Sequence, residues 1–245
     1  MTHFRTSVTA PETDSSQLCA TQLIVRPGTL PTLVFPVVGG RPPDVDEAWR
    51  YLAEPAEFFG VAMPDRSDLA TALAGASTAA ATAITVTLTD TAILVSRAPV
   101  TPWQPVPVFV AGDASVPHAH LATDPWWRRM AARTTSRGEL DQRERLLNER
   151  GYADGLCGGV PLLGALVCQT PDGAVGVDNP EPTSILDQLT RCGALAGVER
   201  VAACPPDAER VWWVSPRFET HPVAEVAGAA FPVDADTVPS FARWS

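Results

Sequence analysis

The sequence predicts an α+β protein built as two domains. A length of 245 residues accommodates one large domain or two smaller ones, each able to bury a core. Strand-like and helix-like segments follow one another irregularly, without the strict alternation of a βαβ series. A stretch rich in turn formers, Ala111 to Asp124, reads as a linker between the halves. The expected layout is a disordered tail over 1–17, a small α+β domain over 18–112, a linker over 113–122 and a larger α+β domain over 123–245.

In the first half, Leu18–Val25 and Thr32–Val38 are apolar, β-branched runs bounded by Pro and Gly, which predicts strands. Gly39-Gly40 supplies the turn after the second. Asp44–Phe59 carries Ala48, Tyr51, Leu52, Ala56 and Phe59 at helical spacing, with Asp44 or Asp46 as the cap and Pro55 placed to kink or split the helix. Asp65–Ala83, rich in Ala and Leu, predicts a helix. Ala83–Leu88 and Ala92–Arg97 predict a strand pair around Thr89-Asp90-Thr91, and Pro105–Val110 predicts an extended segment.

In the second half, Trp126–Arg150 predicts one charged helix closed by Gly151. Gly159–Gln169 predicts a buried strand, and Pro171-Asp172-Gly173 a hairpin turn into Ala174–Val177. Ser184–Ala196 predicts a helix, Arg210–Val214 a strand, and Phe218–Pro232 an extended stretch with breaks.

Composition narrows the function. All 18 basic residues are arginine, so the chain contains no lysine. The abundance of Arg, Ala, Val and Pro fits a GC-rich coding sequence, which accounts for the bias without removing its chemical consequence. The net charge of −10 argues against nucleic-acid and anionic-membrane partners, but not against a small anion held by converging arginines. No apolar run reaches the roughly 18 residues a membrane span needs. The polar start, Met1–Gln17, has no apolar signal core, so a cytoplasmic location is expected. Cys19, Cys157, Cys168, Cys192 and Cys204 show no metal-like CxxC spacing and read as reduced thiols. No metal is expected.

Four segments carry a family resemblance. ILDQLTRCGAL (185–195) is similar to an Ile-Leu-x-Gly-Ile-Thr-Arg motif, with Thr190 and Arg191 matching and Asp187 or Gln188 in place of the glycine. DAERVWWVSPRFETHPVAEVAG (207–228) matches a segment in which Ser215 and Pro222-Val223 are in register. VVGGRPPDVDEAWRYL (37–52) matches one ending in His-x-x-Arg-Leu, with Arg50 on the arginine and Glu47 on the histidine. ARTTSRGELDQRERLLNERGYADGLC (132–157) is similar to a Lys-Thr-x-Asn-Arg…Gly-x-Asp-Glu segment, with Arg133 on the lysine and Arg137 on the arginine. Together they cover most of residues 30–230. The chain resembles the class IV, or fold-type IV, aminotransferases, which include the branched-chain and D-amino-acid aminotransferases and aminodeoxychorismate lyase.

The resemblance implies a homodimer and a two-domain, D-amino-acid aminotransferase-like architecture with a cofactor cleft between the domains. It also implies what is missing. The family holds pyridoxal phosphate as a Schiff base on the lysine. A guanidinium stays protonated and forms no imine. The family's glutamate for the pyridine nitrogen is also lost, because 158–167, GGVPLLGALV, has no carboxylate. No cofactor is therefore expected.

The candidate residues follow from the same register. Arg50, Thr190 and Arg217 would form an anion cup, and Arg137 would assist in binding substrate; otherwise the arginines are surface salt-bridge residues. Arg133 would meet a substrate carboxylate, or equally an internal Asp or Glu. His221 is the candidate general acid or base, with Ser215, Arg217 and Glu219 on its face if the segment is extended. His118-x-His120 reads either as a solvated loop or as a metal or acid–base pair. Trp126-Trp127 and Trp212-Trp213 read as core, interface or ligand-stacking aromatics. The expected function is a cofactor-independent lyase, isomerase or cyclase acting on a small anionic metabolite in a biosynthetic pathway. The alternatives are a non-catalytic paralogue that binds a ligand or partner, and a class IV-like protein holding pyridoxal phosphate non-covalently.

Overall fold

The computed structural model describes residues 5–8, 29–41, 43–112, 126–136, 138–179 and 184–244. The proposed strand Leu18–Val25, most of the proposed linker, Cys19, His118, His120 and Arg137 lie outside the described residues. Two compact units are present: Met1–Pro99 with Pro125–Arg137, and Val100–Asp124 with Gly138–Ser245. This division differs from the expected one. Residues 100–111 join the second unit through the strand they form there, and 126–136 join the first.

The first unit contains a four-stranded sheet in the order β1-β4-β3-β2. Its strands are β1 (Arg5–Val8), β2 (Thr32–Val37), β3 (Thr82–Leu88) and β4 (Ala92–Pro99). β1 falls within the stretch read as a disordered tail. It runs parallel to β4, with Arg5 opposite Ala92. β3 and β4 form a hairpin whose turn is closed by Thr89, whose Oγ1 accepts from the Ala92 amide at 2.9 Å.

Helices α1 (Val45–Phe59) and α2 (Arg66–Ala76) share one core with this sheet. α1 buries Ala48, Leu52 and Ala56, each a turn apart and fully inaccessible. Asp44 caps it by accepting from the Glu47 amide at 3.1 Å, and Gly60, at φ 65°, ends it. Pro55 does not split α1, which is continuous through it. α2 stops at Ala76, short of the predicted end. Ser77 turns extended and its hydroxyl donates to the Leu73 carbonyl, and β3 begins at Thr82.

The predicted helix 126–150 is two helices, α3 (Trp126–Ala132) and α4 (Gly138–Glu149). The break is held by pairing with the start of β2. The Thr32 amide donates to the Arg133 carbonyl and the Thr135 amide to the Leu30 carbonyl, both at 2.9 Å. Thr134 Oγ1 donates back to Ala131 and accepts from the Ser136 amide, which turns the chain away from helix.

The second unit is organised around a sheet in the order β10-β9-β8-β11-β12-β5-β6-β7, with β13 beside β12. The strands are β5 (Val108–Ala111), β6 (Asp154–Cys157), β7 (Val160–Pro161), β8 (Ala165–Thr170), β9 (Gly173–Val177), β10 (Glu199–Arg200), β11 (Arg210–Val214), β12 (Thr220–Val226) and β13 (Ala229–Ala230). The sheet is mixed: β8–β9 and β11–β12 are antiparallel, whereas β5 runs parallel to both β12 and β6. Helix α5 (Ile185–Arg191) is shorter than predicted because the chain turns at Gly193, φ 81°. Leu166, Cys168, Val177, Val211 and Val223 form the fully or nearly fully buried core. Among the described residues no helix is long and apolar enough to cross a membrane.

Candidate functional site

Three side-chain clusters bear on the residues singled out above, and each lies within one unit. The first surrounds Arg133. The residue is 5% exposed and donates from Nη1 to Glu54 Oε2 and from Nη2 to the Tyr51 carbonyl, and its guanidinium carbon lies 3.8 Å from the Tyr51 ring centroid. Pro55 explains the second bond. A proline at 55 has no amide for the carbonyl four residues earlier, which is that of Tyr51. Arg133 supplies the missing donor, which is how α1 passes through Pro55 unbroken. The partner of Arg133 is thus an internal carboxylate and a freed helix carbonyl. Arg50, one residue before Tyr51 on α1, is exposed; its Nε donates to the Asp46 carbonyl at 3.2 Å.

The second cluster lies at the start of α5. Ser184 caps the helix, accepting from the Asp187 amide at 3.4 Å. The buried Asp178 carboxylate accepts from the Leu186 amide at 2.8 Å and the Asn179 amide at 2.7 Å. Arg200 closes the group, donating to Ser184 Oγ and Asp187 Oδ1, both at 2.7 Å, with Asp178 Oδ2 at 3.9 Å. Burial pushes the Asp178 carboxyl up to about 6, against the pull of the Leu186 amide and the Arg200 charge. Thr190 does not stand at this helix start. It lies in the last turn, exposed, with its hydroxyl donating to the Leu186 carbonyl at 2.8 Å. An anion seat built from helix-start amides would fall at 184–187, where the chain's own carboxylate already sits.

The third cluster joins Asp154, Trp213 and His221. Asp154 is fully buried, and its carboxylate accepts from the amides of Gly155, Leu162, Leu163 and Gly164 and from Trp213 Nε1, the last two at 2.8 Å. These bonds curl 162–164 into a turn, so the strand predicted over 159–169 is divided into β7 and β8. Burial pushes the Asp154 carboxyl up, while these donors pull it back. Gly164 is required by the fit: a Cβ there would lie 2.3 Å from Trp213 Nε1 and 2.4 Å from the Val214 carbonyl. Trp213 faces His221 across the β11–β12 pair, ring centroids 5.6 Å apart. His221 is partly exposed, and its Nδ1 lies 3.2 Å from the Val106 carbonyl. That oxygen only accepts, so Nδ1 carries the hydrogen and Nε2 of the neutral ring keeps its lone pair.

Ser215, Arg217, Glu219 and His221 do not share one extended face. Residues 215–219 are the tight turn of the β11–β12 hairpin. Ser215 Oγ accepts from the Arg217 and Glu219 amides, both at 3.2 Å, and the Ser215 amide donates to the Glu219 carbonyl at 2.9 Å. Phe218 adopts φ 64° with its ring 2% exposed. Ser215 Oγ is thereby a turn acceptor, and Arg217 projects into solvent. The Ser215-Pro216 dipeptide was the sequence signal for this turn. Pro55 was the signal for Arg133, because a proline within a helix advertises an orphan carbonyl. Asp154 lies in the stretch that resembles the Gly-x-Asp-Glu end of a family motif, which gave it no role, and nothing in the sequence pointed to Asp178.

No protein-family model matches the chain, and no curated protein matches it. Solved structures do. A hypothetical aminotransferase from Mycobacterium tuberculosis matches with TM-score 0.60 at 18% identity, over 92% of this chain and 89% of the other. A Legionella pneumophila protein assigned as a 4-amino-4-deoxychorismate lyase matches with TM-score 0.59 at 12% identity, over 96% and 94%. A fold IV transaminase from Curtobacterium pusillum matches with TM-score 0.57 at 16% identity, over 92% and 85%.

The chain has the fold-type IV fold.

Fold-type IV enzymes use pyridoxal phosphate, and the residues here do not fit a covalently held cofactor. The chain offers no lysine amine. Arg133 is buried and paired with Glu54 and the Tyr51 carbonyl. The α5 start is filled by Asp178, and 158–167 offers no carboxylate. Among the described residues no group of three or more His, Cys, Asp or Glu side chains is placed to hold a metal ion.

Proposed function

We propose that this fold-type IV chain binds a small organic anion and performs no Schiff-base chemistry. The observation that carries the reading is Arg133, a buried guanidinium whose Nη1 and Nη2 are held by internal partners, in a chain without lysine. Arg50 in the first unit and Arg217 in the second are separate candidate contacts for an anion. Each is exposed, and neither guanidinium makes an ion pair among the described residues. Arginine forks suit planar carboxylates and phosphates. Calorimetric titration with small carboxylates and phosphate esters tests this. Arg50→Ala in the first unit and Arg217→Ala in the second are tested separately, and whichever residue contacts the anion should on removal weaken binding by ~1.5–3 kcal/mol per charged hydrogen bond lost. If no anion binds, or if both variants bind as the parent does, the reading fails.

A second reading, a cofactor-independent lyase, isomerase or cyclase acting on such an anion, is favoured by His221. With Nδ1 committed to Val106, its partly exposed ring offers Nε2 for proton transfer. Under this reading His221→Ala lowers turnover by roughly 10²–10⁴ while ligand affinity is kept. A tightly bound ligand with no turnover in any condition leaves the binding role alone.

A further inference from the structure

Cys168 and Cys204 form a thiol pair that neither the fold nor the candidate site explains. Their sulfurs are 3.5 Å apart, although the residues lie 36 positions apart in the chain. Cys168 is fully buried on β8, opposite Val211 on one side and Val175 on the other. Cys204 is partly exposed, in the loop between β10 and β11. That loop is fixed at both ends. The Val201 amide donates to the Gly176 carbonyl at 2.9 Å, and the Glu209 amide to the Gln169 carbonyl at 2.7 Å. Its middle is seated on Gly159, at φ 85°, where a Cβ would meet the Ala202 carbonyl and the Ala203 Cβ at 2.9 Å. Cys204 is thus held over Cys168 by three separate contacts.

We propose that Cys168 and Cys204 are a peroxide-sensitive redox pair that closes to an intramolecular disulfide. The accessible sulfur reacts first. The Cys204 thiolate attacks a hydroperoxide; an S–O bond forms, the O–O bond breaks, and the alcohol or water leaves after taking up a proton. The Cys168 thiol then gives up its proton and attacks the Cys204 sulfur. The S–S bond forms, the S–O bond breaks, and hydroxide leaves as water with that proton. Two thiols are oxidised by two electrons, and the peroxide bond is reduced. The electrostatics agree with this division of labour. The S–H of Cys168 donates to Cys204 and lowers the Cys204 thiol, whereas that same contact and burial hold Cys168 up. Closing the bond shortens the sulfur separation from 3.5 Å to about 2 Å, a movement a loop can absorb.

The experiment treats the full chain with hydrogen peroxide, blocks remaining thiols, and maps peptides with and without reductant. The expected product is a single cross-link joining the peptides of Cys168 and Cys204, reversed by dithiothreitol, with a raised melting temperature in the oxidised form. Cys157 and Cys192 remain alkylatable and serve as internal controls. Cys204→Ser, at a partly exposed site, abolishes both the cross-link and the melting shift. The proposal is overturned if Cys204 accumulates as sulfinic acid, or if it pairs only with an added small thiol while Cys168 stays reduced. A cross-link to any other cysteine overturns it equally.

Discussion

Arg133 shows how one side chain changes meaning with its neighbours. On the sequence it is a lysine register filled by a residue that cannot form an imine; in the structure it is the donor that allows a proline inside α1. Glu54 is half exposed, so the ion pair contributes modestly, and the Tyr51 carbonyl is the dearer loss. Arg133→Met should destabilise the protein by about 1–3 kcal/mol in urea unfolding, the cost of leaving a buried acceptor unmet. Pro55→Ala returns an amide to that carbonyl, so in the Pro55→Ala background the same change should cost less, with a coupling of about 0.5–3 kcal/mol. Strict additivity of the two changes would sink the account. The partnership was half legible in the sequence. The need of a buried guanidinium for a carboxylate follows from elementary electrostatics, but Glu54, 79 positions away, has no local mark.

At the scale of elements, Asp178 makes the start of α5 sensitive to pH. Its carboxyl titrates at about 6 in the fold against an ordinary 3.8, so the fold favours the protonated form. That contribution is complete below about 3.8 and is lost as pH rises through about 6, an amplitude on the order of 3 kcal/mol. In chemical denaturation between pH 3.5 and 7, wild type should therefore lose stability relative to Asp178→Asn across this window (taken from the 3.8 and about 6 above). A constant difference between the two curves would contradict the assignment. The β11–β12 hairpin makes a second test. Phe218→Ala should cost ~3–5 kcal/mol from the lost ring, measured by the denaturation midpoint. Phe218→Gly should cost less than Phe218→Ala, because only glycine relieves the φ 64° backbone; an equal or larger cost would contradict strain at this position. Elements whose signals are local were legible: the Pro171-Asp172-Gly173 turn, the VWWV run of β11, the Asp44 cap of α1. Elements decided by distant pairing were not. Nothing within 126–150 reveals that 133–135 pairs with 30–32 rather than continuing the helix, and nothing in 158–167 reveals that Asp154 will gather three amides into a turn.

For the whole molecule, fold and chemistry separate. The fold-type IV resemblance rests on motifs in order along most of the chain, and the solved structures match over nine-tenths of it. The order of the second sheet, with β5 between β12 and β6, was not legible, because a four-residue strand in proline-rich sequence carries no pairing signal. Arg133→Lys supplies an amine on the family register and tests whether the scaffold alone suffices. The expected outcome is at most a weak coloured adduct with pyridoxal phosphate and no amino-group exchange between an amino acid and a keto acid. The α5 start remains filled by Asp178, and 158–167 still lacks a carboxylate for the ring nitrogen. Absorbance in the visible range and a coupled exchange assay read the two results separately. Measurable exchange would show that the register assigned to 158–167 is wrong.

The Pro55–Arg133 contact also gives the chain a direction of travel. A proline at 55 is tolerable while a fork-shaped cation reaches the Tyr51 carbonyl; a lysine ammonium, a single point of charge, is a poorer match to a carbonyl and a carboxylate at once. The two positions are therefore locked as a genetic pair. Arg133→Lys by itself meets a weakened helix before it meets any cofactor, so placing an amine at 133 calls for a change at residue 55 as well.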